Sequence, residues 1–126
     1  MRYLVIVLLM AVAAPVFSQT TTENVAVALK TGSSKELIKY FNAVTELKID
    51  DKGANYSKVQ AESVVKDFFT KYPASGFTYI HKGSSPEGLK YNIGRYTYEG
   101  GSFRVVMLLK KAQEKYVVDT ISFNKE

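Results

Sequence analysis

The segment FTYIHKGSSPEGLKYNIGRYTYEGGSFRVVMLLKKAQEKYVVDTISF, residues 77–123, decides the fold of this chain. It contains runs rich in β-branched and aromatic residues, which favour strands, separated by short segments rich in glycine or polar residues. These runs predict four strands, at residues 77–82, 89–99, 103–110 and 116–123. The connections are short enough for successive strands to pair in antiparallel fashion.

Details within this segment predict how the sheet is arranged. Gly94 interrupts the second run, which indicates a bulge or a bend. Gly100-Gly101 is typical of a two-residue hairpin turn. Residues 103–110 are apolar on both faces, as expected of a central strand. The face turned away from the core carries Val106 and Leu108, and an exposed apolar patch of this kind favours self-association.

Three capping-box patterns predict helix starts before this segment. The pairs are Thr20 with Glu23, Ser33 with Glu36 and Ser57 with Gln60. The first predicted helix ends at Gly32, and the second carries an apolar stripe of Leu37, Ile38 and Phe41. The third runs from Lys58 to Tyr72 with one continuous apolar face, so we expect it to pack on the sheet.

Residues 44–49, between the second and third helices, alternate between apolar and polar side chains. That alternation predicts a half-exposed strand, followed by a turn at residues 50–53. The piece around Asn55 and Tyr56 either pairs back on this strand or leads directly into the third helix. The sequence leaves both arrangements open.

The N-terminal residues predict export. Arg2 supplies a positive start, residues 3–14 are almost wholly apolar, and Val16-Phe17-Ser18 fits a cleavage site, so residues 1–18 have the pattern of a signal peptide. The apolar run ends at Pro15, short of the roughly 20 residues that a spanning helix needs. We therefore expect a periplasmic or extracellular protein without a membrane span, whose residues 19–126 form a single domain.

Composition excludes several functional classes. The chain has no cysteine, which rules out disulfides, thiol catalysis and thiolate metal sites, and it has one histidine, which gives no metal-ligand spacing. The net charge is +5, but the lysines are scattered rather than clustered with stacking aromatic residues. We therefore expect no nucleic-acid partner and no metal or other cofactor.

The order of these elements resembles the nuclear transport factor 2-like, or cystatin-like, cone fold. The motifs that carry the resemblance are Tyr56–Ala61, Asp67–Phe69, His81–Gly83 and Tyr91–Gly94, which look like those of a family of small secreted bacterial proteins of unknown function. The resemblance implies an α+β fold, in which a curved antiparallel sheet of four to six strands packs on three helices in the order α-α-β-(β)-α-β-β-β-β. It also implies a pocket between the sheet and the long helix, and it supplies no catalytic residue.

Five residues are candidates for ligand binding: Tyr79, His81, Tyr91, Arg95 and Asp119. The tyrosines could line a pocket, although strand propensity also selects tyrosine. His81 is either a general acid or base near the pocket or a surface residue beside a turn. Arg95 is either an anion contact or an ordinary exposed arginine. The alternation around Asp119 could point that carboxylate inward, or the residue lies at a bulge or an exposed edge.

Two functional hypotheses follow. The first is an exported, non-enzymatic domain that binds a small ligand or a protein partner through the cone pocket or the sheet, with a homodimer through the sheet as one form. The second is a lyase or isomerase that works in the pocket with His81 or Asp119 as base and a tyrosine as proton donor.

Overall fold

Within residues 20–126, three helices and the six strands of one sheet occur along the chain in the predicted order. The computed structural model describes residues 20–126, and the predicted signal peptide lies outside the described residues. The elements are α1 Thr21–Thr31, α2 Ser34–Ile38, β1 Phe41–Ile49, β2 Lys52–Ser57, α3 Lys58–Lys71, β3 Ala74–Ser84, β4 Lys90–Tyr98, β5 Gly101–Ala112 and β6 Lys115–Lys125. The predicted α+β class is therefore confirmed. No helix within residues 20–126 is long and apolar enough to cross a membrane.

The predicted helix caps are present. The first and third pairs form complete capping boxes, in which the cap hydroxyl and the side chain three residues later each accept a backbone N–H. At α2 only half of the capping box forms, in which the Ser33 hydroxyl accepts the backbone N–H of Glu36. The Glu36 carboxylate instead accepts a hydrogen bond from Lys39 Nζ at 3.0 Å. Gly32 ends α1 in the left-handed conformation, with φ at 68°.

The first strand begins earlier than predicted. Phe41 was assigned to the apolar stripe of the second helix, and that assignment is wrong, since α2 ends at Ile38 and Phe41 opens β1 as a fully buried strand residue.

The structure also decides between the two arrangements left open for Asn55 and Tyr56. Residues of β2 pair with β1 in antiparallel register, with Tyr56 opposite Thr45.

The strands lie in the order β2-β1-β6-β5-β4-β3. The C-terminal strands pair as successive antiparallel neighbours, and β5 is an inner strand, both as predicted. The pair between β1 and β6 is parallel, so the sheet is mixed rather than wholly antiparallel. This long-range pair joins the N-terminal half of the chain to the C-terminal meander.

The hairpin turn between β4 and β5 is displaced by one residue from its predicted position. Tyr98 pairs with Gly101, so the two connecting residues are Glu99 and Gly100. Gly94 lies where a bend was predicted, opposite Tyr79, and the register of β3 against β4 shifts directly after that pair. The extra residue belongs to β3, at Ile80, rather than to the strand that carries the glycine.

Candidate functional site

The interior of the cone, between the inner face of the sheet and α3, is filled with aromatic side chains. Phe68 of α3 is 4% exposed. Its ring lies between 4.5 and 5.9 Å, centroid to centroid, from five others, those of Phe69, Tyr72, Tyr96, Phe103 and Phe123. These distances are typical of packed aromatic clusters. The core therefore occupies the space around Phe68 between α3 and the inner face of the sheet.

Tyr79 points from β3 toward the inner face and contacts α1. Its hydroxyl donates to the backbone oxygen of Thr22 at 2.7 Å and lies 4.0 Å from the sulfur of Met107. Burial raises the pKa of the Tyr79 phenol well above its ordinary value. Tyr79 therefore holds the first turn of α1 against the sheet as a neutral hydrogen-bond donor.

His81 and Tyr91 lie on the opposite, outer face of the sheet. The bulge at Ile80 reverses the alternation of β3, so that Tyr79 pairs with the inward Gly94 while His81 pairs with the outward Ile93. The imidazole stacks near the ring of Tyr91 at a centroid distance of 6.0 Å, and Tyr91 is 42% exposed. Of the two positions expected for His81, the surface position is therefore the one found.

Arg95 is exposed on the same outer face and is already paired. Its Nε donates to Glu126 Oε1 at 2.9 Å, and the same oxygen accepts from the hydroxyl of Ser102 at 2.7 Å. These hydrogen bonds, of which the one from Arg95 contributes most, hold the pKa of Glu126 below its ordinary value.

Asp119 lies at a second irregularity, where the register between β5 and β6 shifts. Its carboxylate accepts a hydrogen bond from Asn42 Nδ2 at 3.2 Å and lies 3.8 Å from Lys110 Nζ. Of the positions expected for Asp119, the bulge is the one found, and it turns Val118, rather than Asp119, into the core.

The five candidate residues do not converge on one site. Tyr79 lies on the inner face, whereas His81, Tyr91 and Arg95 lie on the outer face. Strands β4 and β5 separate His81 from Asp119, a distance across the sheet of about 14 Å at the usual strand spacing. Neither of these two residues lies in the interior that an enzyme of the predicted type requires.

The outer face carries an apolar patch that was predicted only in part. Val106 and Leu108 point outward, as the sequence predicts, and are half-buried. Cross-strand pairing sets Ile93 beside Val106 and Tyr91 beside Leu108. We call these four residues the outer patch. The alternation of the β4 sequence could have added Tyr91 and Ile93 to it.

Four depressions occur among the described residues, with volumes of about 510, 370, 820 and 610 Å³. A groove of about 510 Å³ runs between α3 and the β1–β2 hairpin, with Leu47, Ile49 and Tyr56 among its lining residues. A cavity of about 370 Å³ lies between the start of α1 and the β3–β4 hairpin. Among the described residues, no group of three or more histidine, cysteine or acidic side chains could hold a metal ion.

Comparison with known proteins identifies the relatives of this chain. The family model "Domain of unknown function (DUF4783)" matches residues 22–124. A crystal structure of a DUF4783 family protein from Bacteroides ovatus is 36% identical, with a TM-score of 0.78, and the match covers 82% of this chain and 93% of that one. One from Bacteroides fragilis is 30% identical, with a TM-score of 0.77, and covers 82% and 96%.

More distant structures share the fold alone. An NTF-2 like protein of unknown function from Silicibacter pomeroyi is 9% identical, with a TM-score of 0.61, and the match covers 84% of this chain and 90% of that one. No match was found among curated proteins. The nuclear transport factor 2-like fold and the resemblance to a bacterial family of unknown function are therefore confirmed.

Proposed function

We propose that this chain, which belongs to the DUF4783 family of domains of unknown function, is an exported domain that binds a second copy of itself through the outer patch. The observation that carries the proposal is the contrast between the two faces of the sheet. The inner face is filled by the Phe68 cluster, whereas the outer face presents Tyr91, 42% exposed, beside three aliphatic side chains.

Two central rows of residues on this face are complementary to one another. One row across the sheet runs Glu46, Thr120, Leu108, Tyr91, and the next row runs Lys48, Ser122, Val106, Ile93. A two-fold axis between these rows, lying in the interface and perpendicular to the strands, sets each row of one copy over the other row of the second copy. Leu108 then meets Val106 of the second copy, and Glu46 meets Lys48 of the second copy.

The size of the face supports weak rather than tight association. Four strands spaced by about 4.8 Å, with four outward positions spaced by about 6.8 Å, span roughly 500 Å² per copy. A dimer would bury roughly 1,000 Å² in total, which is the lower bound for a specific interface. We therefore expect a dissociation constant in the micromolar range, about 1–100 μM.

Sedimentation equilibrium of the protein expressed from residues 1–126 tests the proposal. We expect reversible dimers at tens of micromolar and a shift to monomer for Val106→Asp, because a carboxylate in the centre of the patch loses its water on association. Val59→Asp is the matched control, since Val59 is 80% exposed on α3 and the same substitution there leaves the sheet unchanged. A wild-type protein that is monomeric throughout this range contradicts the proposal.

A charge exchange tests the arrangement of the two copies. Glu46→Lys and Lys48→Glu should each weaken the dimer by about two- to tenfold, because each leaves like charges facing one another in two symmetric places. The double exchange should restore association. If the double variant is no better than either single variant, the two copies are arranged differently.

Export is tested separately. Sequencing the N-terminus of the protein recovered from the periplasm or medium of a bacterial host should show Gln19 as the first residue, which follows from the cleavage site proposed after Ser18. Recovery of the uncleaved chain with the membrane fraction would count against this part of the proposal.

A further inference from the structure

Asn92 is a buried polar side chain with few partners. It lies on the inner face of β4 and is 2% exposed. Its Nδ2 donates to Thr22 Oγ1 at 3.4 Å, a long hydrogen bond, and its Oδ1 has no hydrogen-bond partner among residues 20–126. Buried carboxamides normally satisfy most of their hydrogen-bonding capacity, so this oxygen needs a donor.

The donor can come from the cavity of about 370 Å³ that Asn92 lines. The cavity lies between the first turn of α1 and the β3–β4 hairpin, and its volume falls within the range of about 300–1,000 Å³ found for small-molecule sites. Its lining is mostly polar: Thr20, Thr22, Glu23, Lys82, Gly83, Ser84, Lys90 and Asn92.

The electrostatics of this cavity favour an anion. The N–H groups of Thr21 and Thr22 belong to the first turn of the 11-residue helix α1, where the helix dipole is positive and the amides have no intrahelical acceptor. Lys82 and Lys90 add two positive charges. The carboxylate of Glu23 is already bonded to the Thr20 N–H at 3.2 Å as part of the helix cap.

We propose that this cavity binds a small hydroxycarboxylate. The carboxylate lies at the first turn of α1 between Lys82 and Lys90, and the neighbouring hydroxyl donates its hydrogen bond to Asn92 Oδ1. A simple carboxylate fits the positive charge but leaves Asn92 unsatisfied, whereas an amino acid satisfies Asn92 but brings a positive charge beside the two lysines.

The surrounding contacts hold this arrangement in place. The Tyr79 hydroxyl fixes the Thr22 carbonyl at 2.7 Å and so holds the start of α1 over β3. Lys90 Nζ lies 4.4 Å from the centroid of the Tyr116 ring, and Lys82 Nζ lies 5.5 Å from that of Tyr79. These contacts restrain the two lysine side chains, which line the cavity, before any ligand arrives.

Titration followed by amide NMR, with the protein expressed from residues 1–126, tests the proposal. The probes are glycolate, acetate and glycine, which are similar in size and differ in the group beside the carboxylate. Glycolate should bind about tenfold more tightly than acetate, the difference expected when one buried acceptor is satisfied. It should also bind more tightly than glycine and shift the amides of Thr21, Thr22 and Asn92.

Variants separate the two parts of the site. Asn92→Ala should remove the preference for glycolate over acetate, with its amide spectrum showing that the fold is kept. Lys90→Met should weaken the binding of both acids by a similar factor. Lys66→Met, on the exposed side of α3, should weaken the binding of neither. The Val106→Asp variant should bind glycolate as the wild type does, which keeps this test independent of dimer formation.

Three results would overturn the proposal. They are equal affinity for acetate and glycolate in the wild type, tightest binding of glycine, and unchanged affinity in Lys90→Met. The Lys90→Met result can be obtained even if Asn92→Ala fails to fold.

Discussion

Replacing Gly94 with alanine should destabilise the fold markedly, because there is no space for a methyl group at this position. Gly94 is buried on β4. A Cβ atom there would lie 2.4 Å from Cζ of Phe77 and 2.8 Å from the backbone oxygen of Thr78. A ring can rotate away from such a contact, but a strand carbonyl cannot move without disturbing the pairing of β3 with β4.

The size of the effect follows from two opposing terms. Overpacking a core with one methyl group costs about 1–3 kcal/mol, and the involvement of backbone places Gly94→Ala at the upper end. Alanine also restricts the unfolded chain more than glycine does, which returns about 0.4–1 kcal/mol. We expect a net loss of about 2 kcal/mol in the free energy of unfolding and a fall in Tm of about 10 °C.

Urea denaturation followed by far-UV circular dichroism measures this loss. Gly100→Ala is the control, because a Cβ atom there would meet only the edge of the Tyr98 ring at 3.2 Å, and it should change the free energy of unfolding by less than about 1 kcal/mol. Adding Phe77→Leu to Gly94→Ala should recover part of the loss beyond the additive sum. A Gly94→Ala protein within about 0.5 kcal/mol of the wild type would refute the steric reasoning.

Three further changes test other parts of the fold. Phe68→Ala removes the centre of the aromatic cluster and should cost about 3–5 kcal/mol in urea denaturation. Ser57→Ala removes the cap of α3 and should cost about 1 kcal/mol in the same assay, whereas Ser63→Ala on the exposed side of the same helix should cost less than about 0.5 kcal/mol. Burial raises the pKa of Tyr96 to about 12, from 10.0. The folded state therefore keeps a proton that the unfolded state loses above pH 10, so the free energy of unfolding should fall between pH 10 and 12 by up to about 1.4 kcal/mol per pH unit. Tyr96→Phe should reduce this slope in urea titrations at pH 9, 10 and 11, and an unchanged slope would contradict the assignment.

The parts of the fold that depend on neighbouring residues could be predicted from the sequence. The caps at Thr20 and Ser57 and the strands of the C-terminal meander are examples, because each depends on groups a few positions apart. Phe41 was misassigned because an apolar residue three positions after Ile38 fits a helix as well as a strand. The parallel pairing of β1 with β6 has no local signal, since the two strands are separated by most of the chain.

The candidate site was harder to predict because two bulges decide which face each side chain takes. Strict alternation along β3 puts His81 on the same side as Tyr79, and the extra residue at Ile80 reverses it. The irregularity at Asp119 has the same effect on β6. Gly94 does mark the first bulge, but on the opposite strand, so the sequence indicates the location of the irregularity without showing which strand carries it.

The filled interior restricts the surfaces at which this protein can bind a ligand or a partner. Once Phe68 and its neighbours occupy the centre of the cone, the surfaces left for recognition are the groove beside α3, the cavity beside α1 and the outer face of the sheet. Strand β4 serves both surfaces, because Tyr91 points outward into the patch and the next residue, Asn92, points inward to the cavity beside α1. A strand hydrogen-bonded on both edges, to β3 and β5, cannot rotate to exchange these faces. The proposed binding at the cavity and the proposed association through the patch should therefore be separate events on one rigid element.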